Sequence, residues 1–289
     1  MVGRTLYPEG EAPHYGFTDS RSEQRRRVLR ETIHAFEAAR ARYQKRTAEN
    51  LARWHLSSRT ELRGFQIKVL AGDWGEVTLE LTKTYGACFA VLNMANAYVP
   101  GGAYVEGAVA QEENMYRRTD CHFYVGPPEY DIETDRYTPA MTDLISGRDG
   151  YVYLDVTSPR ICIRGAEDRS RPDLGYRWLQ DDEVFPFYEL RAAAQDLRDG
   201  SEFDAGEARK RIAAQLNTLR HSGIRHAVLG AHGCGAFRNL STEVAQLYKE
   251  EIAARRDDFS LIAFAIFSAG YGPGNFEPFA SVFDAPLLR

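Results

Sequence analysis

A short apolar run, followed a few residues later by a glycine pair, constrains this chain more than any other feature. Residues 90–94 have the length and composition of a buried strand. Asn96 follows, and Pro100 with Gly101 and Gly102 then prevents a helix or a strand from continuing. Glycines after a strand let the backbone approach a ligand closely, and their N–H groups suit a phosphate. The pattern therefore predicts a strand that ends in an anion-binding loop.

Two adjacent carboxylates, Glu112 and Glu113, follow Gln111 a few residues after this loop. A Gly-Gly pair alone is most often a tight turn, and a Glu-Glu pair alone is most often a solvated helix start, favoured there by the helix dipole. The two features occur in one window, and a second glycine-rich loop lies far downstream. This combination favours a sugar-phosphate site with acid chemistry.

The second glycine-rich loop, residues 230–239, follows a predicted strand at residues 226–229 and precedes a helix that Ser241 is expected to cap. A glycine loop that leads into a helix N-terminus is a good anion site, although many Rossmann-like folds contain one. The first loop also ends a βαβ unit, with its first strand at residues 65–70. Because α/β sheets bind ligands at the carboxyl ends of their strands, both loops are expected at that edge.

The combination resembles the signature of macrodomain-type poly(ADP-ribose) glycohydrolases, in particular the short bacterial form. In that family three glycines are followed, some residues later, by Gln-Glu-Glu. This sequence has Gly101-Gly102-Ala103 and then Gln111-Glu112-Glu113, preceded by Asn96. Ala103 stands where the family has its third glycine, and a methyl group there would be strained if the position required a positive φ. The resemblance runs from about residue 20 to the end and is thinnest across residues 122–190.

The resemblance implies an α/β fold, a macrodomain-like three-layer α/β/α sandwich with a mixed central sheet and an N-terminal helical extension. Residues 1–59 would form an arm and a helical extension packed on the core, and residues 60–289 the catalytic domain. Ser20 and Glu23 form a capping-box pattern that predicts a helix to about Gln44. The arginines between residues 21 and 30 are expected on its solvated face.

The resemblance also implies roles for the site residues. Glu113 would be the general acid and later the base for water, while Glu112 and Asn96 would hold ribose hydroxyls. The second loop would wrap the diphosphate, with Phe237 against the distal ribose, and Asp73 would be a weaker candidate ligand of the adenine. The expected catalytic residues are thus Glu113 and Glu112, and the expected substrate-binding residues are Asp73, Asn96, Gly101, Gly102, Ala103, Gln111, Gly233, Cys234, Gly235, Ala236 and Phe237.

Adjacent glutamates favour a division of labour between them. Two glycosidase carboxylates normally flank the sugar, roughly 5–10 Å apart, which is awkward for neighbours on one segment. For Glu113 to be protonated near neutral pH, its pKa must be raised by burial, by the Glu112 charge and by the substrate diphosphate. Cys234 beside His232 could be a nucleophile, but neighbours in one loop rarely achieve the geometry of a Cys–His pair.

Composition limits the partners. A net charge of −5 argues against general nucleic-acid affinity. The four cysteines are scattered, which suits reduced thiols and a cytoplasmic location, and no metal-ligand spacing predicts a metal or cofactor. No signal peptide or membrane span is evident, although a protein injected into another cell could have the same composition. We expect a monomer that acts on ADP-ribose or poly(ADP-ribose) attached to proteins, without membrane contact.

The leading functional prediction is an ADP-ribosyl glycohydrolase that removes ADP-ribose polymers by exo-cleavage. One alternative is a hydrolase of mono-ADP-ribose on a protein side chain or another acceptor, to which Ala103 and the unusual middle region give weight. The other is a non-catalytic ADP-ribose reader. The presence of both Glu112 and Glu113 argues against a reader, because a protein that only binds has no need of an acid.

Overall fold

The computed structural model describes residues 3–8, 11, 16–58, 64–268 and 274–284 of the chain. Helices and strands alternate through most of this part. In chain order the elements are α1 (Ser20–Ser57), β1 (Gln66–Ala71), α2 (Trp74–Tyr85), β2 (Ala90–Met94), α3 (Gln111–Arg118), β3 (Tyr130–Asp131), β4 (Arg136–Tyr137), α4 (Pro139–Ile145), β5 (Tyr153–Leu154), β6 (Arg160–Cys162), β7 (Phe185–Ala192), α5 (Ala205–His221), β8 (His226–Leu229), α6 (Ser241–Ala253), β9 (Leu261–Ile266) and α7 (Phe276–Asp284).

The central sheet is mainly parallel. Its strand order is β1-β9-β8-β2-β7-β5, and β6 also pairs with β7. The pairs from β1 to β7 along this order are parallel, whereas β5 and β6 run antiparallel to β7. The predicted α/β class with a mixed central sheet is confirmed. Five parallel strands therefore end at one edge of the sheet.

Helices cover both faces of this sheet. On β2 the side chains of Ala90 and Leu92 join a core cluster with residues of α5 and α6, such as Ile212 and Tyr248. Val91, between them in the chain, points to the other face and joins a cluster with residues of α1, α2 and α3. The alternation follows from the two-residue period of a strand, and it explains why β2 is apolar throughout.

The N-terminal helix differs from its prediction. It continues to Ser57 across a non-helical residue, Ala39, and its cap is Asp19, whose side chain accepts hydrogen bonds from two backbone N–H groups of the first turn. Arg25 and Arg26 are buried rather than solvated, at 6% and 4% exposure. Arg25 binds Glu167, and Arg26 binds both Glu23 of the same helix and the carbonyl of Glu106, so protein groups replace water around these charges. The helix contacts α2, α3 and β7.

Two further points concern the predicted domain boundary and a strand that the sequence did not predict. The predicted boundary at residues 59 and 60 lies outside the described residues, and the division into an extension and a catalytic domain stays a prediction. Strand β7 has no counterpart in the sequence-based assignment, although it pairs with β2 along five residue pairs. Its Glu189 and Arg191 are fully buried and bind each other, which hides the apolar pattern of a central strand.

Candidate active site

A cavity of about 300 Å³ opens at the carboxyl edge of the sheet, between the two glycine-rich loops. Residues from both loops and from the start of α3 line it together. Of the predicted site residues, those that line it are Asp73, Asn96, Ala103, Gln111, Glu112, Glu113, Gly233, Gly235, Ala236 and Phe237. Gly101, Gly102 and Cys234 are not among its lining residues.

Gln111 anchors α3 to the end of β2. Its Oε1 accepts a hydrogen bond from the backbone N–H of Met94 at 3.0 Å, and its Nε2 donates to the carbonyl of Leu92 at 2.8 Å. The side chain thus pairs with the strand as a neighbouring backbone would. Its amide is occupied in this way, and the anchor sets where the two following glutamates lie.

Glu112 is held by both of its oxygens. Oε2 accepts from the backbone N–H of Asn96 at 2.7 Å, and Oε1 accepts from that of Gly101 at 3.1 Å. Burial raises the pKa of the Glu112 carboxyl well above its usual value, and the charge of Glu113 adds to this effect. The backbone N–H of Asn96 acts in the opposite direction, because it stabilises the charged form.

Glu113 is held by one oxygen only. Its Oε1 accepts from the backbone N–H of Ala103 at 3.1 Å. Among the described residues no hydrogen bond reaches Oε2, and the side chain lines the cavity. Of the two carboxylates, Glu113 is therefore the one with a free oxygen to offer to a ligand.

The glycine loop packs closely against these carboxylates. Gly101 and Gly102 have φ values of +71° and +57°. A Cβ on Gly102 would lie 2.4 Å from Oε1 of Glu113, and one on Gly101 would lie 2.5 Å from the ring of Tyr104. Ala103 is not among the residues with positive φ, so its methyl group is accommodated without backbone strain.

Asn96 uses its side-chain oxygen to shape the loop. Oδ1 accepts hydrogen bonds from the backbone N–H groups of Tyr98 at 2.8 Å and Val99 at 2.9 Å, as in an Asx turn. Its Nδ2 makes no hydrogen bond with the described residues. A contact between Asn96 and a ligand would therefore come from this amide nitrogen.

The second loop is built around a turn at Gly233, whose φ is +75° and whose Cβ would lie 2.5 Å from that of Ala194. His232 is buried and lies within hydrogen-bonding distance of Gln215, at 3.1 Å, and of the Ala192 carbonyl, at 3.3 Å. Burial lowers the pKa of His232 to about 4, so the imidazole is neutral near pH 7. His232 therefore stabilises the loop.

Cys234, a residue of the second loop, is partly buried against the core cluster that contains residues of α5 and α6. Burial raises the pKa of its thiol to about 12, so the reactive thiolate is disfavoured. With His232 neutral and engaged elsewhere, the geometry does not support a Cys–His nucleophile.

Asp73 caps α2 and pairs with a buried arginine. Its Oδ1 accepts from the backbone N–H of Gly75 at 2.8 Å and from Nη1 of Arg118 at 2.7 Å. Oδ2 makes no hydrogen bond with the described residues, and Asp73 lines the cavity. The residue is thus both the predicted N-cap and a possible acceptor for a ligand.

Residues 14–145 match the family model described as "Microbial-type PARG, catalytic domain". Somewhat less than half of the chain is thus similar to this family. The matched range includes Asn96, the glycine pair and Gln111-Glu112-Glu113, on which the resemblance in the sequence rests. No curated protein matches the chain by sequence.

Solved structures of poly(ADP-ribose) glycohydrolases (PARG) share the fold of this chain. The poly(ADP-ribose) glycohydrolase of Thermomonospora curvata is 22% identical, with a TM-score of 0.61 over 90% of this chain and 99% of that one. Its complex with the inhibitor ADP-HPD is 23% identical, with a TM-score of 0.59 over 89% and 98%. The enzyme of Deinococcus radiodurans in complex with ADP-ribose is 20% identical, with a TM-score of 0.53 over 85% and 92%. At these identities the likeness concerns the fold alone.

Several residues that were not predicted from the sequence also reach the cavity. Glu167, Arg169 and Arg198 line it. Burial raises the pKa of Glu167, but its hydrogen bonds with Arg25 of α1 and with Tyr176, together with the charges of Arg25 and Arg117, lower it to about 2. Arg198 packs over the ring of Phe237, with 5.0 Å between the guanidinium carbon and the ring centroid. These residues come from a region without motifs, so only their charge could have marked them.

Tyr176, in the segment between β6 and β7, connects the cavity wall to α3. Its hydroxyl donates to Glu167 at 2.6 Å and accepts from Nε of Arg117 at 3.0 Å. It is buried and has a φ of +47°, which is uncommon for an aromatic residue. The backbone strain there is maintained by buried hydrogen bonds.

The described residues contain no group of three or more His, Cys, Asp or Glu side chains suited to a metal ion. Within the same residues, no helix combines the length and the apolarity needed to cross a membrane.

Proposed function

We propose that this chain hydrolyses the ribosyl O-glycosidic bonds of poly(ADP-ribose), releasing terminal units, with Glu113 as general acid and base. The observation that carries the proposal is the position of Glu113. One of its oxygens is oriented by the Ala103 N–H group, and the other is free in a cavity that both glycine loops line.

The order of the strands supports a nucleotide sugar as the ligand. Asp73 follows β1, the second glycine loop follows β8, and Asn96 follows β2, while β9 lies between β1 and β8. With about 4.8 Å between neighbouring strands, β1 and β2 are roughly 14 Å apart. This span lets the adenine lie near Asp73, the diphosphate at the second loop and the terminal ribose beside Glu113.

The carboxylates divide the chemistry in this proposal. Protonated Glu113 donates its proton to the leaving oxygen as the bond to the anomeric carbon breaks and an oxocarbenium-like centre develops. The resulting carboxylate then takes a proton from the water that attacks this carbon. Glu112 is fixed by two backbone donors and still has lone pairs, which with Nδ2 of Asn96 would hold the ribose hydroxyls.

We further propose that the sheet and its helical layers form a macrodomain-like three-layer sandwich. The two helix-covered faces and the mainly parallel sheet support this. The ligand would be ADP-ribose, free or at the end of a polymer on a protein. We propose a monomer that acts in the cytoplasm without binding nucleic acid or membrane, which cell fractionation and sedimentation of the purified protein would test.

Product analysis tests the reaction. The protein is incubated with automodified poly-ADP-ribosylated protein and, separately, with mono-ADP-ribosylated proteins, and the released nucleotides are identified. We expect free ADP-ribose from the polymer and no oligomers. Release only from the mono-ADP-ribosylated proteins would show a mono-ADP-ribosyl hydrolase, and tight ADP-ribose binding without any release would show a reader.

The change Glu113→Gln should abolish hydrolysis, because the amide cannot deliver the proton, while ADP-ribose binding stays within about threefold. General acid–base groups contribute roughly 10²- to 10⁴-fold in rate. Initial rates and calorimetric titration with ADP-ribose measure the two effects. Glu133→Gln, at an exposed site between β3 and β4, is the control and should leave both unchanged. Turnover near that of the wild type in Glu113→Gln would remove Glu113 from the role of acid.

A further inference from the structure

Arg4 lies outside the segment that matches the PARG family model, yet its side chain is buried beside the first glycine-rich loop, residues 100–103, which we call the catalytic loop. It is 5% exposed and belongs to the described segment 3–8. Its guanidinium packs against the ring of Tyr104, with 5.5 Å from the guanidinium carbon to the ring centroid. An arginine so far from water requires acceptors for its donors, and the catalytic loop supplies two of them.

These two acceptors are backbone carbonyls of the glycine loop. Nη1 of Arg4 donates to the carbonyl of Gly102 at 2.5 Å and, more weakly, to that of Pro100 at 3.4 Å. Each carbonyl shares a peptide group with the N–H of the next residue. Arg4 therefore binds the oxygen side of the two peptide groups that present the N–H groups of Gly101 and Ala103.

The same two N–H groups hold the carboxylates. The Gly101 N–H donates to Glu112, and the Ala103 N–H donates to Glu113, each at 3.1 Å. Because a peptide group is planar, fixing its carbonyl also fixes the direction of its N–H. A cation at the carbonyl oxygen also polarises the group and strengthens its N–H as a donor. Arg4 can thus act on both carboxylates without touching either.

The remaining donors of Arg4 fix the guanidinium in this position. Nε and Nη2 bind the two carboxylate oxygens of Asp135 at 2.8 and 2.6 Å, and Nη2 is 3.4 Å from Glu106. The preceding residue, Gly3, donates to the Val125 carbonyl at 2.6 Å. A Cβ on Gly3 would lie 2.2 Å from the His122 ring, so the backbone passes where no side chain fits.

We propose that Arg4 is a positioning residue that orients Glu112 and Glu113 through the peptide groups 100–101 and 102–103. The described segment 3–8 then completes the active site, although none of its residues lines the cavity. This inference rests on the proposed hydrolysis, because its measured quantity is turnover.

Two substitutions at one position test it. Arg4→Lys keeps the charge but cannot reach two carbonyls and a carboxylate together, and Arg4→Met keeps much of the volume without any donor. We expect kcat to fall about tenfold in Arg4→Lys and about a hundredfold in Arg4→Met, because misplacement of a reacting group by about 1 Å can cost this much. The dissociation constant of ADP-ribose should stay within about threefold, since Arg4 does not line the cavity.

Arg255→Lys is the matched control. Arg255 follows α6 and binds Asn217 and Glu251, away from the catalytic loop. The Arg255→Lys variant should lose thermal stability as Arg4→Lys does, but its kcat should equal that of the wild type. Equal kcat values for wild type and Arg4→Lys would overturn the inference, as would a loss of ADP-ribose affinity as large as the loss of kcat. If Arg4→Met does not fold, the Lys variant still decides. A wild-type protein without turnover would instead refute the proposed function.

Discussion

The change Gly102→Ala should show that the placement of the carboxylates affects turnover independently of fold stability. The new Cβ would lie 2.4 Å from Oε1 of Glu113 and 3.2 Å from Oε2 of Glu112. An ordinary contact needs at least 3.4 Å, so the Glu113 carboxylate would have to move by about 1 Å. Such a shift can cost about a hundredfold in rate. Alanine at a φ of +57° would also cost roughly 1–2 kcal/mol in backbone strain.

Gly223→Ala measures the strain alone. Gly223, at the end of α5, has a φ of +68°, and a Cβ there would meet nothing within 4 Å. For a chain of this size, 1 kcal/mol corresponds to a Tm decrease of about 2–4 °C. Both variants should show a similar decrease by thermal denaturation. Only Gly102→Ala should also lose about a hundredfold in the initial rate of ADP-ribose release.

Two outcomes would refute this reasoning. If Gly102→Ala lost stability as Gly223→Ala does but kept full turnover, the close approach of the loop to Glu113 would not matter for catalysis. If both variants lost turnover equally, backbone strain and not carboxylate placement would be the cause.

Phe237→Ala should lower kcat/KM by roughly tenfold through poorer placement of the substrate, with a Tm close to that of the wild type because the ring is only half-buried. Parallel assays of rate and of thermal denaturation would check this, and a large decrease in Tm with unchanged turnover would contradict it. His232 has its pKa lowered to about 4 by burial, so the unfolded chain binds a proton between pH 6.5 and 4 that the folded chain does not. The stability from this group is complete above pH 6.5 and is lost as pH falls towards 4, by about 3 kcal/mol. The free energy of unfolding, measured with urea at several pH values in this window, should change less with pH in His232→Gln than in the wild type. An equal pH dependence in both would mean that His232 is not the group that titrates.

The parts of the site that could be predicted from sequence are those encoded in short segments. Residues 226–229 form β8 as predicted, and the glycine pair at 101 and 102 has positive φ values in the loop that follows β2. Glycine's conformational freedom and the strand period act over a few residues, so the sequence displays them directly. The adjacency of Glu112 and Glu113 likewise follows from their order in the chain.

Tertiary structure decided the features that depend on distant partners. Strand β7 is central although it contains Pro186, Glu189 and Arg191, because the buried charges bind one another and residues of other elements. Whether Ala103 would be strained was also open, since its φ depends on how the loop packs.

The sequence by itself determined which groups could perform the chemistry, two carboxylates and two glycine loops, because such motifs are local in the chain. Only the tertiary structure decided that the loops line one cavity and that Arg4, about a hundred residues away from Gly102, fixes the peptide groups holding the carboxylates. The physical reason is that a buried charge is stable only where distant groups converge to satisfy it, and that convergence is a property of the packed molecule.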